Sequence, residues 1–357
     1  MAASITEAKN TLRDLRQAAG LDQPSRYYAV LALDGDEMGK WLSGDKAPAV
    51  EKVLTSKAGA YFRKHVPGSE SWLQSHRSVS PSYHLQFSEA LANFGLYAVR
   101  RIVEYHCGQL IYAGGDDVLA MLPADEALAC AQGLRLAFRG DKALAKNYPE
   151  DFTEAPAGFI WLQNPTNAEP SWPLLVPGPK ATVSVGLAIG HVKEPLQDMV
   201  REAQEAEKRA KRDPAKGGFG RNALAVTLFK RSGEQVQWGA QFESPAFALL
   251  AFLREHYRNP LDDPHRAMPV PARFPYRVAE LLRPYGEQTP MTPEIMAIMD
   301  KELEWAIGQM KKCPDLLRGD FRNLCGNYSD VLTRERRPVG DMISLFALEA
   351  FVSRQGE

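Results

Sequence analysis

Between Leu110 and Leu122 the chain runs Leu-Ile-Tyr-Ala, then Gly114-Gly115-Asp116-Asp117, then Val-Leu-Ala-Met-Leu. Two short apolar runs joined by a Gly-Gly-Asp-Asp turn predict a β-hairpin with two carboxylates at its tip. The glycines admit positive φ and bring bare backbone close to a ligand, while the flanking strands fix where the carboxylates point. Such a tip suits a divalent metal and a nucleotide phosphate. Turn chemistry alone also accounts for it, because Asp is common in turns.

A second acidic strand end weighs against that plainer account. Tyr27-Tyr28-Ala29-Val30-Leu31-Ala32-Leu33 is an apolar run that stops at Asp34-Gly35-Asp36. It is long enough for a buried central strand. Placed beside the 110–113 strand, it brings Asp34 to the Asp116 and Asp117 pair. Three carboxylates gathered at one sheet end repel each other unless a cation lies among them, and Mg²⁺ takes a few carboxylates together with phosphate oxygens. Asp34 and Asp36 equally serve as caps of the element that follows.

Composition sets the outer limits. A length of 357 residues allows two or three domains, and a formal charge of −1 gives no global basic field, although local patches remain open. The four cysteines, Cys107, Cys130, Cys313 and Cys325, form no C-x-x-C pair, which argues against a zinc ribbon or a disulfide framework and fits a reducing compartment. The start of the chain shows no basic-then-apolar leader, and no apolar run approaches the roughly 18 residues of a membrane helix. The expectation is a soluble cytoplasmic protein with no membrane partner.

Along the chain, apolar positions at Ile5, Leu12, Leu15 and Ala18 suggest a lead-in helix within 1–26. Helices are expected at 45–66, 82–106 and 125–138, with 67–81 as loop. Segment 140–180, rich in Pro, Asn and Trp, reads as an insertion or long loop. Strands follow at 181–191 and 223–229, with a charged helix at 195–212 between them. This order predicts an α+β domain over 27–232 with its helices on one face of the sheet. Strand signals fade from about 235. Helical segments near 244–258, 273–285, 293–312, 315–333 and 340–353 make 233–357 an all-α C-terminal domain.

With a strand ending in Asp34-Gly35-Asp36, the Gly114-Gly115-Asp116-Asp117 hairpin and the Lys211 to Asn222 segment in this order, the chain resembles the palm-type nucleotidyl cyclase and polymerase superfamily. It is closest to the large polymerase/cyclase subunit of type III CRISPR effector complexes, III-B-like, in its second palm and the helical domain after it. Ser184-Val185-Gly186-Leu187-Ala188-Ile189-Gly190-His191 strengthens the likeness over 27–232. The tail resembles that family only loosely.

The resemblance implies a ferredoxin-like palm that makes cyclic oligoadenylates from ATP with two Mg²⁺ or Mn²⁺ ions, as part of an RNA-guided antiviral complex. It implies Asp34, Asp116 and Asp117 as metal ligands and catalytic groups, and Gly114 and Gly115 as bare backbone against the nucleotide. The amides of Asp36, Glu37 and Met38 are positioned to cradle a triphosphate. Lys211, and less directly Arg221, would meet the β- and γ-phosphates, although the same residues also fit a solvated basic helix face. Ser184 and His191 read as structural. Implied partners are the other effector subunits, guide RNA and target RNA.

The chain departs from that family in showing no His-Asp dipeptide, no cysteine cluster and one Gly-Gly-Asp-Asp. The HD nuclease, first palm and zinc module are therefore not expected here, and a second palm would come from a partner or a homodimer. Two other readings compete. A diguanylate-cyclase-like enzyme would carry Glu in place of Asp117, Asn in place of Leu42 and Asp in place of Glu104. A non-catalytic RNA scaffold would use basic patches at Lys208, Arg209, Lys211, Arg212, Lys216 and Arg221 and at Arg334, Arg336 and Arg337.

Overall fold

A computed structural model describes residues 10–12, 14–15, 18, 25–257, 274–309 and 315–353. Most of the expected lead-in helix lies outside the described residues. The positions of it that are described, 10–12, 14, 15 and 18, are helical.

The apolar run at the start forms strand β1 (Tyr27–Gly35), with Ala29 through Leu33 buried. The hairpin forms β2 (Gln109–Gly114) and β3 (Asp117–Pro123). Three short strands, β4 (Phe152–Thr153), β5 (Phe159–Leu162) and β6 (Leu174–Leu175), make a separate sheet. The main sheet is completed by β7 (Val183–His191), β8 (Ala223–Phe229) and β9 (Gln235–Gln241), in the order β2-β3-β1-β7-β8-β9. The neighbour of β1 is thus β3, with Leu33 opposite Val118, and not the 110–113 strand, which forms the sheet edge. This pairing still carries the end of β1 to the start of β3. Asp34 and Asp117 follow directly on the Leu33–Val118 pair.

Helices cover both faces of this sheet, not one. Ala29, Leu31 and Leu33 pack in a core with Phe94, Ala98, Ile102, Leu134 and Phe138, whereas Val30 and Ala32 pack with Met199 and Ala203. An uninterrupted apolar strand is what burial on two faces requires. On the first face lie α1 (Pro81–Asn93), which continues through a π-helical turn at Phe94–Val99 to Tyr105, and α2 (Ala127–Arg139). On the second lies α3 (Leu196–Lys211). Its backbone comes so close to β7 that a Cβ on Gly186 would collide with the Ala203 carbonyl and the Glu207 amide. Gly186 therefore sets how near Glu207 and Lys211 come to the sheet.

Other expectations need correction. The 45–66 stretch is broken into helices at Val50–Val53 and Ser56–His65, and the expected loop at 67–81 holds a helical turn at Ser69–Gln74. The 140–180 insertion contains the small sheet, seated on the core by Phe152, Ile160, Leu162 and Leu174. Strand β9, past the boundary expected at 232, pairs with β8 along its whole length. Its Val236, Trp238 and Ala240 face inward while Gln235, Gln237 and Gln241 are exposed.

The tail is helical: α4 (Ala246–Tyr257), α5 (Phe274–Leu282), α6 (Pro293–Gly308), α7 (Asp315–Arg334) and α8 (Gly340–Val352). It shares one apolar core with the sheet. Buried Trp238 of β9 donates its indole N–H to Tyr328 Oη at 3.1 Å, and Arg337 donates to the Gly218 carbonyl at 2.8 Å while stacking over Phe219. No helix among the described residues is long and apolar enough to cross a membrane.

Candidate active site

The ends of β1 and β3, the β2–β3 turn and the C-terminal end of α3 meet at one edge of the sheet. Gly35 makes room for the turn: a Cβ there would lie 2.9 Å from Asp116 Cβ and from Met38 Cγ. Burial pushes the Asp116 carboxyl above its ordinary value; its own backbone N–H opposes this and the charge of Asp117 adds to it. Burial also raises Asp117. Gly115 has a positive φ of 70° and nothing within 4 Å of where a side chain would start, so its face is open. Gly114 differs from the expectation, because the Tyr112 ring fills the space beside it. Gly95, from the π-helical turn, flanks the backbone of Gly115.

Lys211 comes to this edge from α3. Its ammonium contacts Asp34 Oδ2 and lies 2.8 Å from Glu207 Oε1. Burial brings Lys211 down to about 8, with the Arg221 cation adding to the effect. Burial, followed by the charges of Asp36 and Asp117, takes Glu207 up to about 7. Lys211 is thus a half-buried cation among carboxylates and not a solvated helix-face lysine. Arg221 is exposed, in a turn with φ 72°.

The segment read as a triphosphate cradle is only partly available. The Asp36 amide is donated to the Thr182 carbonyl at 2.8 Å, so it is not free to cradle a phosphate. Glu37 adopts φ 56° ahead of the short helix Met38–Leu42, and its carboxylate pairs with Lys40 at 2.5 Å and Lys46 at 2.6 Å. Those two contacts hold the Glu37 carboxyl down at about 2. The basic patches offered for an RNA scaffold are also partly consumed. Arg209 donates to the Val226 carbonyl at 2.8 Å, Arg337 is held by Asp341 and Gly218, and Lys208 pairs with Glu205.

Among the described residues no group of three or more His, Cys, Asp or Glu side chains is arranged to hold a metal ion. The donors at this edge still suit a hard cation. Asp34 is already in contact with a positive charge, Asp116 is a carboxylate short of solvent, and Mg²⁺ commonly needs one or two carboxylates with the remainder supplied by phosphate and water. The fit is to a site completed by substrate, not to an all-protein cage.

Sequence reasoning missed Glu207, although its spacing of four residues before Lys211 on a helix is a readable pairing signal. It also missed the side chain of Asp36, and Asn222, whose partners come from distant segments.

A profile for the Cas10/Cmr2 second palm domain matches residues 27–225, which span the six-stranded sheet through the start of β8. The chain belongs to the Cas10/Cmr2 family. Over 214 residues it is 35% identical to the CRISPR system Cmr subunit Cmr2 of Pyrococcus furiosus, covering 60% of this chain and 20% of that protein. A 62-residue stretch is 48% identical to the Cmr2 subunit of Saccharolobus solfataricus, covering 17% of this chain and 6% of that one. This Cas10/Cmr2 palm therefore spans a minor part of the curated relatives it matches. In overall fold it is similar to a chain of the type III-B Cmr-beta complex in its apo state, with a TM-score of 0.52 at 15% identity, covering 86% of this chain and 36% of that one. A chain of the same complex bound to cognate target RNA gives a TM-score of 0.51 at 15% identity, covering 86% and 37%.

Proposed function

We propose that this Cas10/Cmr2 palm is a metal-dependent nucleotidyltransferase that joins ATP into cyclic oligoadenylates, acting with other type III effector subunits, guide RNA and target RNA. The observation that carries the reading is the convergence of Asp34, Asp116 and Asp117 with Lys211 at one sheet edge, beside the open backbone of Gly115. In the reaction a ribose 3′-hydroxyl oxygen bonds to an α-phosphorus, the α–β bridging P–O bond breaks, and pyrophosphate leaves with that electron pair.

Asp34, Asp116 and Asp117 would hold Mg²⁺ or Mn²⁺, which when bound supplies positive charge to the attacking and departing oxygens. Lys211, already directed at this edge, balances phosphate charge, and Arg221 stands at its margin. Glu207 orients Lys211 through its 2.8 Å contact. Gly115 lets the nucleotide lie against the main chain, and the amides of Glu37 and Met38 are the parts of the cradle left to meet a triphosphate. Adenine as the base is what the family resemblance implies.

The test is to incubate the full chain with each of the four nucleoside triphosphates and Mg²⁺ or Mn²⁺, with and without effector subunits and target RNA, and to resolve products by mass spectrometry. Oligoadenylates from ATP support the reading. A cyclic dinucleotide from GTP would contradict it in favour of a diguanylate cyclase, and RNA binding without product from any nucleotide would leave a scaffold.

A further inference from the structure

Asp36 is 1% exposed and lies two residues past Asp34. Its Oδ1 accepts from Ser184 Oγ at 2.7 Å, its Oδ2 accepts from the backbone N–H of Asn222 at 2.9 Å, and its own N–H is given to Thr182. A buried carboxylate spent on a hydroxyl and a main-chain N–H forms strong, directional bonds and leaves little reason for a charge there except what it holds. What it holds is an unusual turn. Arg221 and Asn222 both sit at positive φ, 72° and 47°, a conformation that Asn tolerates but that a long side chain such as Arg keeps only when its surroundings impose it.

The rest of the turn is fastened at the same points. The Arg221 N–H donates to Ala210 at 3.0 Å, one residue before Lys211, and the Asn222 side chain accepts from Arg135 Nε at 3.1 Å and donates to Glu243. Asp36 thus joins the end of β1, which carries Asp34, to the turn that carries Arg221 and abuts Lys211. We propose that Asp36 is a positioning residue whose buried carboxylate clamps the Arg221–Asn222 turn to the end of β1, fixing the Arg221 and Lys211 cations opposite the Asp34, Asp116 and Asp117 carboxylates. The role rests on the nucleotidyltransferase reading for its consequence, and on the hydrogen bonds alone for its geometry.

Two readouts on the full chain separate those parts. Asp36→Asn keeps the shape but replaces the charge-assisted bond to the Asn222 N–H with a weaker neutral one, so amide hydrogen exchange at Asn222 speeds up by at least about tenfold. The ATP concentration for half-maximal rate rises by at least about tenfold while the maximal rate changes less than about threefold, because phosphate contacts are lost equally in ground and transition states. Adding Arg221→Ala to Asp36→Asn costs little more than Asp36→Asn alone, since the turn that places Arg221 is already released. Ser184→Ala, which removes one bond and spares the charge, gives a smaller effect in the same direction and serves where Asp36→Asn does not fold. Unchanged exchange at Asn222 overturns the clamp. Faster exchange with additive effects of Asp36→Asn and Arg221→Ala overturns the positioning role. Wild-type chain that shows Asp36-dependent protection yet converts no nucleotide refutes the nucleotidyltransferase reading and leaves the clamp standing.

Discussion

Lys211 is held at the sheet edge by its contacts with Asp34 and Glu207, while burial weakens its charge. Lys211→Ala should raise the ATP requirement more than it lowers the maximal rate, and an unchanged Michaelis constant would remove Lys211 from the site. Glu37 gives a pH prediction. Its folded-state value is held near 2 by Lys40 and then Lys46, below the 4.5 of an ordinary glutamate, so its contribution is present above pH 4.5 and lost as pH falls toward about 2. Glu37→Gln should therefore lower stability by about 0.2–1 kcal/mol at neutral pH, the worth of a surface ion pair, and show a smaller deficit in denaturant melts at pH 2. An equal deficit at both pH values would contradict it. Asp34, which ends an apolar run, and Asp116 and Asp117, which lie in the turn between two such runs, could be picked out as candidates from the sequence. The side-chain role of Asp36 could not, because its partners lie well over a hundred residues away and only burial shows that its carboxylate is spent internally.

At the scale of elements, the close contact between β7 and α3 sets the geometry. Gly186→Ala would push α3 away from the sheet, costing about 1–3 kcal/mol in chemical denaturation and weakening ATP use as Lys211 moves. Stability within error of wild type would show that α3 can retreat freely. The β1, β7 and β8 strands and most helices followed from apolar runs and helical periodicity. Strand β9 was not read, though its Gln-Val-Gln-Trp alternation is a period-two signal; glutamines on the exposed face kept it from looking apolar. The placing of helices on one face went wrong for a related reason. Continuous apolarity in β1 already demands two covered faces, whereas one covered face leaves alternation.

Among the described residues one large apolar cluster spans the sheet and the helical tail, so the chain should unfold by heat in one cooperative transition, and two separated transitions would contradict that. Tyr328→Phe leaves the buried Trp238 indole N–H without its acceptor and should cost about 1–3 kcal/mol in denaturant unfolding. A neutral result would show that this bond does not join tail to sheet. The measurement that tests the central claim most directly is ATP turnover by the Asp116→Ala, Asp117→Ala double variant beside wild type, with Mg²⁺ or Mn²⁺, effector subunits and target RNA supplied to both. Oligoadenylate should disappear while the variant melts at or above the wild-type temperature, because the lost carboxylates repel each other at the hairpin tip. Full turnover by the folded double variant would contradict the assignment of Asp116 and Asp117, and with it the proposed active site.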